Sequence, residues 1–142
     1  MIQLFSQVKT WFFQVDYILG KNPLHFSYMV GFGTKYPKHI HHRGASIPSI
    51  GVLPRKVSCK EGVSSWFNTN SPNPNTHVGA IVGGPDANDQ FKDQRSDSSH
   101  LEPATYINAA VVGTVAALLG EKNCLQQLPT RNETQMEIVS DF

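Results

Sequence analysis

Charge is scarce in this chain. Only 16% of its 142 residues are Asp, Glu, Lys or Arg, and the formal net charge is +1. No basic stripe runs through it, which argues against nucleic acid and acidic membrane surfaces as partners. Cysteine is scarce too. Cys59 and Cys124 can form one disulfide or remain two thiols, and two cysteines are too few for a metal site of their own. No apolar run reaches the length a membrane-spanning helix needs, so none is expected. The first twenty residues carry Lys9, Asp16 and several glutamines in place of a signal peptide's unbroken apolar core, so no export signal is expected in the chain as written. Also missing are a Gly-x-Ser-x-Gly nucleophile elbow, a P-loop and a dinucleotide fingerprint. Gly31-Phe32-Gly33 is too short to stand for the last of these.

Glycine (11) and proline (9) are plentiful, and they separate two helical patterns. In residues 2–19 apolar side chains recur at Ile2, Phe5, Val8, Phe12, Val15 and Leu19, the spacing of an amphipathic helix, with Gly20 and Pro23 to end it. In residues 104–119 the stripe is Ile107, Ala110, Val111, Thr114, Ala117 and Leu118, with Gly120 as the expected stop. Between them lie long structured loops. Ser27-Tyr28-Met29-Val30 reads as a short strand, Asn68 to Asn75 as a turn-rich polar run, and Val78 to Val82 as a small apolar segment before Gly83-Gly84-Pro85. Residues 121–142 read as a polar tail, with Asn132-Glu133-Thr134 matching the glycosylation pattern. Two helices and such loops do not bury a self-sufficient core. Loops this long are usually held by a scaffold, so the chain reads as the C-terminal piece of something larger.

Two stretches carry candidate chemistry. Phe91-Lys92-Asp93 is followed by a polar run and then by Glu102-Pro103 at the mouth of the second helix. The residue before a proline is pushed out of the helical region, and proline suits a first helical position. Glu102 is therefore expected to be rigidly presented. Such a carboxylate serves either as an acid catalyst or as a plain complement to the helix dipole. Paired carboxyls suit glycoside hydrolysis, in which one protonates the leaving oxygen while the other activates water or attacks. The second stretch, His39-Ile40-His41-His42-Arg43, reads as a solvated basic loop, an Arg/His clamp on a polar ligand, or a zinc site. The zinc reading lacks the usual spacing and a matching Cys or Glu cluster. Tyr28, Phe32, Tyr36, Trp66, Phe91 and Tyr106 offer flat faces to sugar rings, or simply pack.

Taken in order, these stretches resemble glycoside hydrolase family 9, the plant-type endo-β-1,4-glucanases or cellulases. The resemblance covers most of residues 8–120. It rests on Asp16-Tyr17-Ile18-Leu19-Gly20 with Asn22-Pro23, on Ser27 to Lys35 with Ile40-His41-His42-Arg43-Gly44, on Val78 to Asp86, and on Phe91-Lys92-Asp93 through Glu102 to Asn108-Ala109. It implies an all-α fold, the C-terminal portion of an (α/α)6 toroid with long active-site loops, incomplete by itself. Residues 1–120 would be part of that catalytic domain and 121–142 its tail. The implied reaction is inverting hydrolysis of internal β-1,4-glucosidic bonds, with a β-1,4-glucan as partner, no cofactor, no metal and a monomeric enzyme. The parent would be extracellular or in the cell wall. By motif position Glu102 corresponds to the general acid and Asp93 to the signature aspartate that shapes and charges its surroundings. His41 corresponds to the active-site histidine, counted with Glu102 and Asp93 among the catalytic residues, and it would bind sugar together with Arg43 and Tyr106. Ser98 stands where the acidic signature usually has an aromatic. The family's catalytic base lies in an Asp-Ala-Gly-Asp motif of the N-terminal half, which this chain lacks. Asp86-Ala87-Asn88-Asp89 resembles that motif only superficially, since it belongs to the Gly-Gly-Pro-Asp stretch.

Overall fold

A computed structural model describes residues 2–126 of the chain, and side chains from residue 10 to residue 120. The Cys124 thiol, the Asn132-Glu133-Thr134 triplet and the side chains of Ile2, Phe5 and Val8 lie outside the described residues. Two long helices, α1 (Ile2–Ile18) and α5 (Thr105–Gln126), pack against each other. The chain leaves α1 through Gly20, whose φ of +116° a side chain would strain. Asn22 then ties the turn. Its Nδ2 donates to the carbonyls of Tyr17 and Phe26, and its Oδ1 accepts from the N–H groups of Leu24 and Phe26. The hydrogen bonds this buried amide makes offset the cost of taking it out of water.

α5 starts at Thr105, one residue after the expected 104, and it runs through the expected stop at Gly120 to Gln126. Glycine ends a helix when the chain turns left-handed after it. Gly120 has no positive φ, and the Glu, Lys, Leu and Gln residues beyond it favour continuation. The inward face of α5 is formed by Ile107, Asn108, Val111, Thr114, Val115 and Leu118, whereas Ala110 and Ala117 of the expected stripe are exposed. Apolar residues also point outward: Tyr106, Val112 and Leu119 are 76%, 67% and 57% exposed. Phe12, which the spacing puts on the packed face of α1, is half exposed beside Phe13. A helix that is apolar all round belongs inside a larger body. By length and apolar composition Ser98–Gly120 meets the measure of a membrane-crossing segment, contrary to the expectation that no run does. Helix is interrupted within it from Glu102 to Ala104, and Asn108 in its middle bonds to the Ile81 backbone.

The loops between hold short helices that the sequence pattern does not reveal: α2 (Arg43–Ser46), α3 (Cys59–Gly62) running into a π-helical turn (Val63–Phe67), and α4 (Ser98–Leu101). Helices of about one turn are too short to display a period. The expected strand at 27–30 shrinks to one antiparallel bridge, Met29 with Ile81, and no longer strand exists among the described residues. Bonds from Val30 N–H to the Ala80 carbonyl and from Val82 N–H to the Tyr28 carbonyl flank it. The all-α class therefore holds. Tyr28, Val30, Ile40, Ala45, Val82 and Leu101 form the core. Tyr17, Phe26 and Phe91 ring Tyr28 at centroid distances of 5.2–6.0 Å, so Tyr28 and Phe91 serve packing rather than sugar.

Arg95 organises the polar loops. It is only 4% exposed. Its guanidinium donates to the carbonyls of Trp66, Phe67, Thr69 and Ser71 and to Oδ1 of Asn73, so the turn-rich run after Trp66 is wound around one buried cation. Burial pulls its pKa below the ordinary value, and nearby Asp93 acts in the opposite sense. Replacing Arg95 with Met should strand these carbonyls and cost about 3–5 kcal/mol. Urea unfolding of the chain checks this, and an unshifted midpoint would remove Arg95 from its role. Gly83 is a second constraint. A Cβ there would sit 2.2 Å from the Ser99 carbonyl oxygen of α4. Gly83→Ala is expected to destabilise by about 1–3 kcal/mol, because neither backbone can yield cheaply. The same unfolding experiment reads it.

Candidate active site

Glu102 stands between two helices. Its backbone is extended, with φ −82° and ψ 120°, as the following Pro103 requires, and its N–H closes α4 on the Ser98 carbonyl. α4 is held at its start by Asp97, whose carboxylate accepts from the His100 N–H and pairs with the His100 ring. Leu101, fully buried, anchors the turn in the core. The Glu102 side chain emerges exposed from that anchored turn.

The histidine stretch is tied to the same turn. The His41 N–H donates to the Leu101 carbonyl at 2.9 Å, which puts His41 beside the peptide leading into Glu102. Its ring Nδ1 lies 2.7 Å from the Arg95 carbonyl, and the ring stands perpendicular to that of Phe67, with centroids 5.1 Å apart and planes at 87°. A carbonyl only accepts, so Nδ1 carries the proton and Nε2 is the nitrogen available to a ligand. His42 does the reverse. Its Nδ1 accepts the Ala45 N–H at 3.2 Å and caps α2, whose first residue is Arg43. Partial burial and the His77 ring 4.8 Å away lower the His42 pKa, and Glu102 opposes them. His39 turns elsewhere, to Asp93 and the Asn70 carbonyl. The three imidazoles therefore address three different partners, and no group of three metal-ligating side chains forms among the described residues.

Glu102, His41 and Arg43 line one cavity of about 480 Å³, together with Val63, Phe67 and Asn68. That volume lies in the range of about 300–1,000 Å³ typical of ligand clefts. Neither Glu102 nor Arg43 makes an ion pair among the described residues. An open carboxyl, an imidazole with its second nitrogen available and a guanidinium together suit a hydroxyl-rich ligand. Two expected residues lie elsewhere. Asp93 accepts from the backbone N–H groups of Lys38 and His39 and from the His39 ring, and it is not part of the cavity wall. Tyr106 points outward from α5 and is not part of that wall either. The carboxylates of the look-alike motif are also engaged elsewhere. Asp86 accepts from the N–H groups of Asn88 and Gln90, which holds its pKa below the usual range, and Asp89 accepts from the Tyr17 hydroxyl.

Sequence reasoning missed Phe67, Asn68 and Arg95 as parts of this arrangement, and it read His42 only within the histidine stretch, without its capping role. Phe67 was visible only as half of an aromatic pair, and Asn68 as the start of a polar turn. Arg95 had one signal: the only arginine in a stretch otherwise read for its acids.

The sequence profile described as glycosyl hydrolase family 9 matches residues 7–115. "Endoglucanase 20" of Oryza sativa subsp. japonica is 73% identical over 113 residues, which is 80% of this chain and 22% of that protein. The chain thus spans about a fifth of the length of the curated relatives it matches. Among solved structures, the endoglucanase of the termite Nasutitermes takasagoensis superposes with a TM-score of 0.60 at 36% identity, covering 77% of this chain and 23% of that one. The cellulase Cel9M of C. cellulolyticum in complex with cellobiose does so at 0.60 and 34%, covering 77% and 22%. Matched by the family profile over most of its length, with Glu102, His41 and Arg43 gathered on one cavity, the chain belongs to glycosyl hydrolase family 9.

Proposed function

We propose that this chain is the acid-bearing C-terminal part of an inverting endo-β-1,4-glucanase, and that its cavity binds a β-1,4-glucan across the bond to be cut. The observation that carries the reading is the convergence of Glu102, His41 and Arg43 on one cavity. Relatives described as endoglucanases, and a Cel9M structure holding cellobiose, support the substrate class. In this reading Glu102 protonates the departing glycosidic oxygen. His41 donates from or accepts at Nε2, and Arg43 holds hydroxyls of the adjoining ring in its fixed fork of donors. Phe67, perpendicular to the His41 ring, steadies it. Asp93 acts at one remove: it pins the turn leading to His41 and favours the charge of Arg95, whose carbonyl holds the His41 ring. Tyr106 would meet other parts of the parent protein rather than sugar. The parent would work as a monomer outside the cell or in the cell wall, within a toroid whose other helices cover the outward faces of α1 and α5.

One observation favours a second reading for the chain taken alone. Among the described residues, Glu102 is the only carboxylate on the wall of its cavity. Inversion needs a second carboxyl roughly 6.5–9.5 Å from the first to activate water. The isolated chain would then bind glucan without cutting it.

Two outcomes are expected. In a chimera whose preceding part comes from the rice relative, Glu102→Gln should lower turnover of an unactivated glucan by about 10²–10⁴-fold, the usual worth of a general acid. Unchanged turnover would remove Glu102 from that role. The 142-residue chain itself should release little or no reducing sugar from soluble cellulose; robust release would show that no second carboxyl from elsewhere is needed.

A further inference from the structure

His41 and His42 are sequence neighbours with opposite hydrogen-bonding duties. The His41 Nδ1 faces a carbonyl and must carry its proton there. The His42 Nδ1 accepts the Ala45 N–H, so it must be bare and the ring neutral, with its proton on Nε2. His41 can gain a second proton on Nε2 and keep its bond to Arg95. His42 has only Nδ1 left to protonate, and that is the capping atom.

The cap matters because of what α2 carries. α2 is a four-residue helix, Arg43–Ser46, and Arg43 is its first residue. Within the turn, Ser46 Oγ donates to the Arg43 carbonyl and Asn75 Nδ2 donates to the Gly44 and Ile47 carbonyls. Those contacts tether its carbonyl side. On the amide side the Ala45 N–H is met by the His42 ring. That ring also lies over Gly44, where a Cβ would come within 3.2 Å of its Cε1. His42 is at the same time part of the wall shared by the Glu102 cavity and a neighbouring cleft bounded by His77, Pro103 and Thr105.

We propose that His42 is a positioning residue: its neutral imidazole caps α2 and so sets Arg43 in the acid cavity, and gaining a proton uncaps the turn and frees Arg43 from its place. The groups around the ring set the sign. His77, from the segment facing it, disfavours a second positive charge; Glu102, from the α4–α5 junction, favours one; Arg43 is the charged group on α2 itself. With its folded pKa below the ordinary 6.5, His42 takes up its proton later than in the unfolded chain. The stability it contributes is therefore full above about 6.5 and is lost as pH falls through the lowered folded value. The sugar role of Arg43 rests on the proposed function; the tautomers and the capping do not.

The experiment is a nitrogen-detected NMR titration of the 142-residue chain from about pH 7.5 to about pH 5, across the histidine range. At the upper end the expected tautomers are Nε2–H for His42 and Nδ1–H for His41. The Ala45 amide and the Arg43 Nε–H should then move with the His42 ring, at a midpoint below 6.5. His42→Asn keeps an acceptor of a preferred capping type but cannot titrate. In that variant the Ala45 amide should stay capped and Arg43 should lose its pH response. An Nδ1–H tautomer at His42, an Ala45 amide that ignores the ring, or an Arg43 response that survives in the Asn variant would each overturn the proposal. All of these read out without catalysis, so an inactive chain leaves the test intact.

Discussion

The site depends on one backbone hydrogen bond, from the His41 N–H to the Leu101 carbonyl. It joins segments far apart in sequence at the one point where a carboxyl and an imidazole must meet. Its flanking residues, Ile40 and Leu101, are both buried in the core, so water does not compete for it. Tyr28, Val82 and Ala45 pack in the same core and hold the pair in register. Gly83, pressed against the Ser99 carbonyl, keeps α4 close to the Met29–Ile81 bridge. Had the bond formed one residue earlier or later, the side chains on the cavity would differ, and Glu102 would face another part of the wall.

Around that bond, polar residues of one kind do different jobs according to their surroundings. His39 links Asp93 to Asn70, His41 faces the cavity, and His42 caps a helical turn. The acids divide likewise. Asp93, Asp97 and Asp86 spend their oxygens on nearby N–H groups and so hold loops in place. Glu102 has no such partner among the described bonds and remains open to a ligand. Arg95 and Arg43 are a matching contrast: the first is buried and fully bonded to carbonyls, while the second is exposed at the cavity.

The two long helices were legible because apolar residues recur at spacings of three and four over several turns, although Phe12, Ala110 and Ala117 of the expected faces are exposed. The proline after Glu102 announced its extended backbone, and the motif order marked His41, Arg43 and Glu102. The end of α5 was misread because a glycine ends a helix only where the backbone turns left-handed, which composition does not reveal. The short helices, the wrapping of Trp66–Asn73 around Arg95 and the placement of Asp93 were hidden for a common reason. Each rests on side chains reaching across the fold to backbone atoms, and such bonds leave no periodic trace in sequence. Asn108 shows the same thing. It sits within a recognised motif, yet its work of binding the Ile81 backbone to α5 is seen only in three dimensions.

The outward apolar faces of α1 and α5, and a cavity on whose wall Glu102 is the only carboxylate among the described residues, fit the proposal of a larger enzyme around this chain. Under the proposed function, the surface centred on Glu102 would face the glucan. The most direct measurement is a residue-resolved NMR map of the chain titrated with cellotriose. The account predicts that shifts concentrate at His41, Arg43, Phe67, Asn68 and Glu102 and leave Tyr106 and Asp93 nearly still. Shifts centred on the outward face of α5, with those cavity residues unmoved, would contradict it.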